Sequence, residues 1–294
     1  MKICSFGSLN LDHLYQVGNI VLPGETISAE GKTEVCGGKG LNQSVAMARA
    51  GAKVWHAGSV GQDDAGDTLL AALKAEGVDT SLIKRKPVPS GHAIIQINRE
   101  GENAIIVFGG ANKQVTQEQI DAALAQFEPG DLLVLQNEVN RLPEIIRAAH
   151  ARGMKIALNP SPITDALKDV PVELCDILFV NEIEAGILCG AERASLEQLA
   201  ARFPGAMLVY TMGSRGACVY ADGKTYHQPA YSVKAVDTTG AGDTFSGYYL
   251  AALCEEKTIP EALCLAAKAA AISVTRPGAS VSVPQREEVE AWEG

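Results

Sequence analysis

The sequence predicts an α/β fold in three layers, a central, mostly parallel sheet with helices on both faces, and three observations predict it. Strand-like and helix-like segments alternate through most of the chain. The strand segments are short apolar runs of the kind buried on both faces. Only two stretches, 13–36 and 91–108, break the rhythm with hairpin-like patterning.

Taken in order, residues 2–7 read as a strand, 41–50 as a helix, 54–59 as a strand and 65–76 as a helix. Strands at 132–136, 155–159, 177–181 and 208–211 are interleaved with helices at 142–152 and 183–189. Residues 244–250 read as an amphipathic helix, and 251–256 and 260–274 close the fold as helices. The stretch 91–108 alternates across 93–98, turns at Arg99-Glu100-Gly101-Glu102 and returns through 104–108. Four extra strands from the two hairpins form a small sheet projecting from the main body. Such a sheet needs a partner face, either a cleft or another subunit. No repeat, low-complexity tract or interdomain linker divides 1–294, so one domain is expected.

Composition bounds the partners. The 294 residues carry a net charge of −10, with a pI near 5.1 and a mean hydropathy of +0.06. Such a balance argues against a general nucleic-acid or anionic-membrane surface, so any bound phosphate must be held by local N–H groups, a few cations or a metal. Seven cysteines without a Cys-x-x-Cys pair read as free, mostly buried thiols, which fits a reducing cytoplasmic setting. Asn10 and Asp12 interrupt any signal-peptide core, and no uncharged apolar run approaches a membrane span. The Asn42-Gln43-Ser44 sequon then carries no meaning.

The densest chemistry lies in Asp237-Thr238-Thr239-Gly240-Ala241-Gly242-Asp243. Small residues at a helix start leave backbone N–H groups bare, and bare N–H groups bind anions such as phosphate. A carboxylate beside that anion site, Asp243, is placed to take a proton from an attacking hydroxyl. Neither standard nucleotide loop is present. Phe245 stands where a dinucleotide fingerprint needs its third glycine, and Gly38-Lys39 is followed by Gly40 where a P-loop needs Ser or Thr.

Other polar groups fall at strand ends, where a parallel sheet gathers its ligands. Asn10-Leu11-Asp12 reads as a turn or as a hydroxyl-binding pair. Gly37-Gly38-Lys39-Gly40-Leu41-Asn42 is a glycine-rich turn whose Lys39 faces solvent, or a ligand loop. Gln136-Asn137-Glu138 ends one strand. Asn181 and Glu184 form either a helix capping box or a site near magnesium. Thr211-Met212-Gly213-Ser214-Arg215-Gly216 is a tight hairpin or a nucleotide loop.

Together, and in this order, the segments 37–42 and 237–243 resemble the ribokinase-like (PfkB) carbohydrate kinases over essentially the whole chain. The resemblance implies a small β-sheet lid over a sugar site, formed by the hairpins at about 13–36 and 91–108 and often clasping a second subunit, hence a homodimer. It implies a sugar-binding set of Asn10, Asp12, Gly38, Lys39, Asn42 and Glu138, with Asp243 as catalytic base and Gly240, Ala241 and Gly242 as anion hole. It places ATP against Asn181, Glu184, Thr211, Gly213, Ser214, Gly216 and Gly242, with Mg2+ reached from Glu184 through water. It implies a monovalent cation, K+, at Asp237, Thr239, Ser273, Arg276, Gly278 and Ser282, mostly through backbone carbonyls. The polar set resembles that of ribokinases in particular, so the acceptor expected is ribose, with other pentoses, a deoxysugar, a ketohexose or a nucleoside as alternatives. A catalytically silent sugar or nucleotide sensor is the rival class. Two positions depart from the family pattern: Ala267 at the expected adenine site, and Pro277 in the cation loop.

Overall fold

The computed structural model describes the backbone of residues 1–294 and every side chain but that of residue 166. In chain order the strands are β1 (Ile3–Phe6), β2 (Asn10–Gln16), β3 (Gly31–Gly37), β4 (Val54–Gly61), β5 (Asp79–Lys86), β6 (Gly91–Ile97), β7 (Asn103–Phe108), β8 (Leu132–Gln136), β9 (Lys155–Asn159), β10 (Ile177–Asn181), β11 (Met207–Thr211), β12 (Ala217–Ala221) and β13 (Lys224–Gln228). The helices are α1 (Lys39–Arg49), α2 (Asp64–Ala75), α3 (Gln117–Leu124), α4 (Leu142–Ala151), α5 (Glu182–Cys189), α6 (Leu196–Arg202), α7 (Ala241–Cys254), α8 (Ile259–Ser273) and α9 (Arg286–Ala291). None is long and apolar enough to cross a membrane among the described residues.

The main sheet has nine strands in the order β13-β12-β11-β10-β9-β8-β1-β4-β5. From β11 to β5 every pairing is parallel, and β12 and β13 add an antiparallel edge. Period-two alternation sorts the core onto two faces. Ile3, Leu132, Val134 and Val209 point toward α1, α2, α7, α8 and α9. Cys4, Phe6, Leu133 and Leu135 point toward α3, α4, α5 and α6. The chain runs outward from β1 through β4 to β5, then resumes at β8 and runs outward the other way. The carboxyl ends of β1 and β8 therefore flank the point where strand order reverses, which is where open α/β sheets form their crevice.

The two hairpins join as one four-stranded sheet, β3-β2-β6-β7, because β2 and β6 pair in parallel from Asn10↔Gly91 to Gln16↔Ile97. Two readings are corrected here. Asn10 and Asp12 do not sit in a turn after the first strand but inside β2, since the turn is completed earlier, at Gly7 to Leu9. The segment 244–250 is not amphipathic: α7 is one continuous helix in which every residue from Asp243 to Ala252 is buried, packed between the sheet, α1 and α8. Its two tyrosines satisfy the burial rule with hydroxyl partners, Tyr248 donating to the Pro284 carbonyl at 2.7 Å and Tyr249 to the Met207 sulfur at 3.3 Å. All seven cysteines are free as expected, but only Cys4 and Cys175 are buried; the other five are half-buried.

α7 and α1 approach closely at Gly247. A Cβ there would lie 2.4 Å from the Ala46 Cβ and 3.0 Å from the Met47 nitrogen on α1. Gly247→Ala is expected to push the helices apart and to destabilise the fold by about 1–3 kcal/mol, the usual cost of overpacking. Urea unfolding monitored by circular dichroism checks this, and an unchanged midpoint would show that α1 and α7 yield without cost.

Candidate active site

The crevice is closed at its base by Ser8 and Glu138. Ser8 Oγ donates to Glu138 Oε2, tying the end of β1 to the end of β8. The same oxygen accepts the Lys39 backbone N–H at 3.0 Å, and Gly40 N–H donates to Ser8 Oγ at 3.2 Å. The residue before α1, Gly38, offers no side chain to cap it. Glu138 thus supplies from far along the chain the acceptor and negative charge that a helix start favours.

Asp243 sits in the first turn of α7 and is 6% exposed. Asn42 Nδ2 donates to its Oδ2 at 3.0 Å, and Gln43 Nε2 donates to its Oδ1 at 2.9 Å. Gln136 Nε2 in turn donates to Gln43 Oε1 at 2.7 Å. Asn42 Oδ1 is buried with no partner among the described residues. Gly240, at φ 74°, makes the left-handed entry into α7 that glycine adopts at little cost. Ala241 N–H is spent on the Thr238 carbonyl at 3.3 Å. The next N–H groups, of Gly242 and Asp243, belong to a first helical turn that has no internal acceptor for them.

Lys39 does not face solvent. Burial pushes its ammonium down, but the carboxylates of Asp243, Glu138 and Glu184 outweigh burial and hold it above the usual lysine range. Lys39, Asn181, Glu184, Gly240, Gly242 and Asp243 line one cavity of about 180 Å³. On its other side, burial first and then the nearby Glu138 push the Asp12 carboxyl up to about 7. Asp12 Oδ1 is another buried oxygen without a partner among the described residues. Asn10 Oδ1 accepts from Asn112 Nδ2 at 2.8 Å, and Asn112 is itself pinned to both backbone groups of Leu9.

Asn181 and Glu184 form the capping box: Asn181 Oδ1 accepts from Ile183 and Glu184 N–H, and Glu184 Oε2 accepts the Asn181 N–H at 2.9 Å. They also border the cavity, so the two readings coexist. A divalent ion fits this surround only loosely, because among the described residues no three His, Cys, Asp or Glu side chains gather as a metal-binding group. Glu184 would reach it through water, and substrate phosphates would supply the remaining oxygens.

Thr211 ends β11, and Gly213, Ser214 and Gly216 lie in the turn between the antiparallel β11 and β12, so this segment is a hairpin. It also lines a second, largely apolar cavity of about 410 Å³ with Tyr231 and Ala267. Thr211 and Gly242 are common to both cavities.

The six residues expected at a monovalent cation fall on two segments laced together beside the start of α7. Asp237 Oδ1 accepts from Thr239 N–H and Oγ, and its Oδ2 accepts from Gly278 N–H at 2.9 Å. Burial pushes this carboxyl up, but those three donors outweigh it and hold Asp237 below the usual range. The Val274 carbonyl accepts from Val236 and Asp237 N–H, and Arg276 N–H donates to the Ser273 carbonyl. Ser282 folds back onto the Ala279 carbonyl. The Arg276 guanidinium pairs with Glu288, so only its backbone is offered to an ion. A carbonyl-rich loop pair with one carboxylate suits a weakly hydrated monovalent cation.

Three residues of this cluster are not singled out from sequence: Ser8, Gln43 and Asn112. Gln136 is named there only within the strand-end triplet 136–138 and given no role of its own, and Gln43 adjoins the nominated Asn42, which is the available signal.

Comparison with known proteins agrees with this geometry. The model of the pfkB family carbohydrate kinases matches residues 1–286. A ribokinase of Haemophilus influenzae is 38% identical over 292 residues, covering 96% of this chain and 95% of that protein. The crystal structure of a Thermotoga maritima ribokinase superposes with a TM-score of 0.90 at 34% identity, covering 99% of this chain and 98% of the other. An Arabidopsis thaliana ribokinase complexed with ribose and ATP superposes at 0.88 with 28% identity, over 98% and 97% of the two chains.

The raised Asp12 carboxyl has a thermodynamic consequence. Its native value of about 7 lies above the unfolded value near 3.8, so between the two the native state holds a proton that the unfolded state has lost. Its contribution to stability is full below pH ~4 and is lost as pH rises through 7. Asp12→Asn, which stays neutral, should gain on the wild type from pH 5 to pH 8. Melting temperatures across that range check this, and a pH-independent difference would overturn it.

Proposed function

The chain belongs to the pfkB family of carbohydrate kinases, phosphotransferases that use an alcohol group as acceptor, and from that premise we propose that it phosphorylates the primary hydroxyl of D-ribose to give ribose 5-phosphate. The observation that carries this reading is Asn42. Its amide donates to Asp243, while its carbonyl oxygen is buried without a partner. A sugar hydroxyl satisfies that oxygen, and the same contact brings the acceptor against the carboxylate. Asn10, Asp12, Lys39 and Glu138, with Gly38 at the turn, supply the remaining polar contacts for neighbouring hydroxyls.

In this reading the hydroxyl gives its proton to Asp243 as its oxygen bonds to the γ-phosphorus of ATP. The bond from that phosphorus to the bridging oxygen breaks, and ADP leaves. The Gly240-Ala241-Gly242 loop forms the anion hole: with the Ala241 N–H held by the Thr238 carbonyl, it is the Gly242 N–H that meets the charge building on the transferring phosphoryl. Lys39 adds its positive charge. The apolar cavity bounded by Thr211, Gly213, Ser214 and Gly216 takes the base and ribose of the nucleotide. Mg2+, reached from Glu184 through water with Asn181 alongside, supplies charge neutralisation on the phosphates when bound. Asp237, Thr239, Ser273, Arg276, Gly278 and Ser282 would hold K+, whose charge, when bound, would firm the loop that enters α7. The four-stranded sheet acts as the lid. Ile105, Ile106, Val107 and Phe108 on its edge strand β7 stand 49–65% exposed, which supports a homodimer clasped through it.

Two measurements test the proposal. In a coupled ADP-release assay over pentoses, deoxyribose, ketohexoses and nucleosides, ribose should give the highest kcat/KM. Asp243→Asn should lose at least about a thousandfold in kcat while still binding ribose, and potassium should raise the rate above that in sodium alone. Preference for another acceptor replaces ribose, a near-normal Asp243→Asn rate removes the base, and equal rates in the two salts remove the potassium site. Light scattering should give twice the chain mass, falling to one with Ile106→Asp; a wild-type monomer would overturn the clasp.

A further inference from the structure

The reaction just proposed needs Asp243 charged and aimed. The structure assigns the aiming to a pair of buried glutamines. Gln43 is 1% exposed and Gln136 is fully buried; where burial makes an unpaired amide costly, Gln43 is paired at both ends, whereas Gln136 is paired through its NH2 and its Oε1 has no partner among the described residues. Their bonds run in one direction, from Gln136 on β8 to Gln43 on α1 to Asp243 on α7. An amide can donate to a carboxylate only through its NH2 end. Gln136, by donating to Gln43 Oε1, fixes which end of Gln43 faces Asp243.

We propose that Gln43, oriented by Gln136, is a positioning residue for Asp243. With Asn42 on Oδ2 and Gln43 on Oδ1, each carboxylate oxygen receives one amide N–H. Two donors from one helix hold the carboxylate plane. The remaining charged groups around Asp243 are Lys39 on α1 and Glu184 on α5, with Glu138 and Asp12 beyond Lys39. None of them takes the place of Gln43 at Oδ1.

This inference rests on Asp243 as the base, and the experiment separates the two. Gln43→Leu removes the donor with little change in volume. It is expected to lower kcat about 10- to 100-fold, the scale of a misplaced reacting group, with KM for sugar and ATP within about threefold. Gln136→Leu should act in the same direction but less, and the double variant should be no worse than Gln43→Leu alone. Gln119, a buried glutamine that donates to the Gly58 carbonyl at 2.6 Å away from this cluster, is the control: Gln119→Leu should lose stability while kcat stays within twofold. A Gln43→Leu kcat within twofold of wild type, or a loss that falls on KM in place of kcat, overturns the proposal. Should Gln43→Leu not fold, Gln43→Met and Gln136→Leu carry the same test. The 13C carboxyl resonance of Asp243, assigned by its loss in Asp243→Asn and read at one neutral pH, reports the clamp without turnover. It should move in Gln43→Leu, and an unchanged resonance overturns the clamp even in a protein that phosphorylates no sugar.

Discussion

At Gly247, α7 lies so near α1 that a single methyl group would land 2.4 Å from the Ala46 side chain, and the polar centre stands one turn away from that contact on both helices. Four residues back along α7 is Asp243; four back along α1 are Asn42 and Gln43. Side chains spaced by four share a helix face, so a crossing close enough to need glycine at 247 brings the amides of 42 and 43 within hydrogen-bond reach of the carboxylate. A wider crossing would leave Asp243 buried with its charge unpaired, an expensive state. The glycine contact and the amide clamp are therefore two expressions of one helix separation.

Charge is handled locally in this acidic protein. One ammonium, Lys39, stands among Asp243, Glu138 and Glu184, so the crevice is negative before any ligand enters. A polyphosphate arriving there depends on N–H groups at the start of α7, on Lys39 and on whatever cations accompany it. Asp12 registers the same crowding from the other side, where burial and Glu138 keep it protonated until near neutrality. Glu138 links the two halves, since one of its oxygens also organises the start of α1.

The layers, the parallel sheet and the two hairpins were legible because each is written in local periodicity. Both ends of the site, 37–42 and 237–243, were legible because glycines and polar residues crowd there at helix starts. What local pattern could not show is who meets whom. Gln43 and Asp243 are 200 residues apart in the chain, and Gln136 and Gln43 are 93 apart; nothing near any of them in sequence announces a partner. The same limit explains the misread helix at 244–250. Its serine, threonine and tyrosines mimic a polar face, but Tyr248 and Tyr249 find buried partners that only the tertiary fold supplies. Asn10 and Asp12 looked like turn residues because Asn and Asp usually are. In β2 their strand neighbours and Asn112 take over the role a turn would have given them. At Asn181 and Glu184 the local pattern was sufficient, because a capping box closes within four residues.

The two cavities meet only at Thr211 and Gly242, and the polar cluster beyond the smaller one comes from a different stretch of chain than the apolar cavity. Apart from Asp243, the polar cluster around Asn10, Asp12, Asn42 and Glu138 is drawn from the first half, whereas the apolar cavity is drawn entirely from Thr211 onward. A lineage could therefore remodel one cavity by changes confined to one half of its gene while the other half drifts undisturbed. Recombination with a relative anywhere between residues 139 and 210 would exchange the apolar cavity whole and leave the polar cluster intact but for Asp243. The smaller cavity, lined by Lys39 and by residues from Asn159 to Ser246, ties the inheritance of the two together.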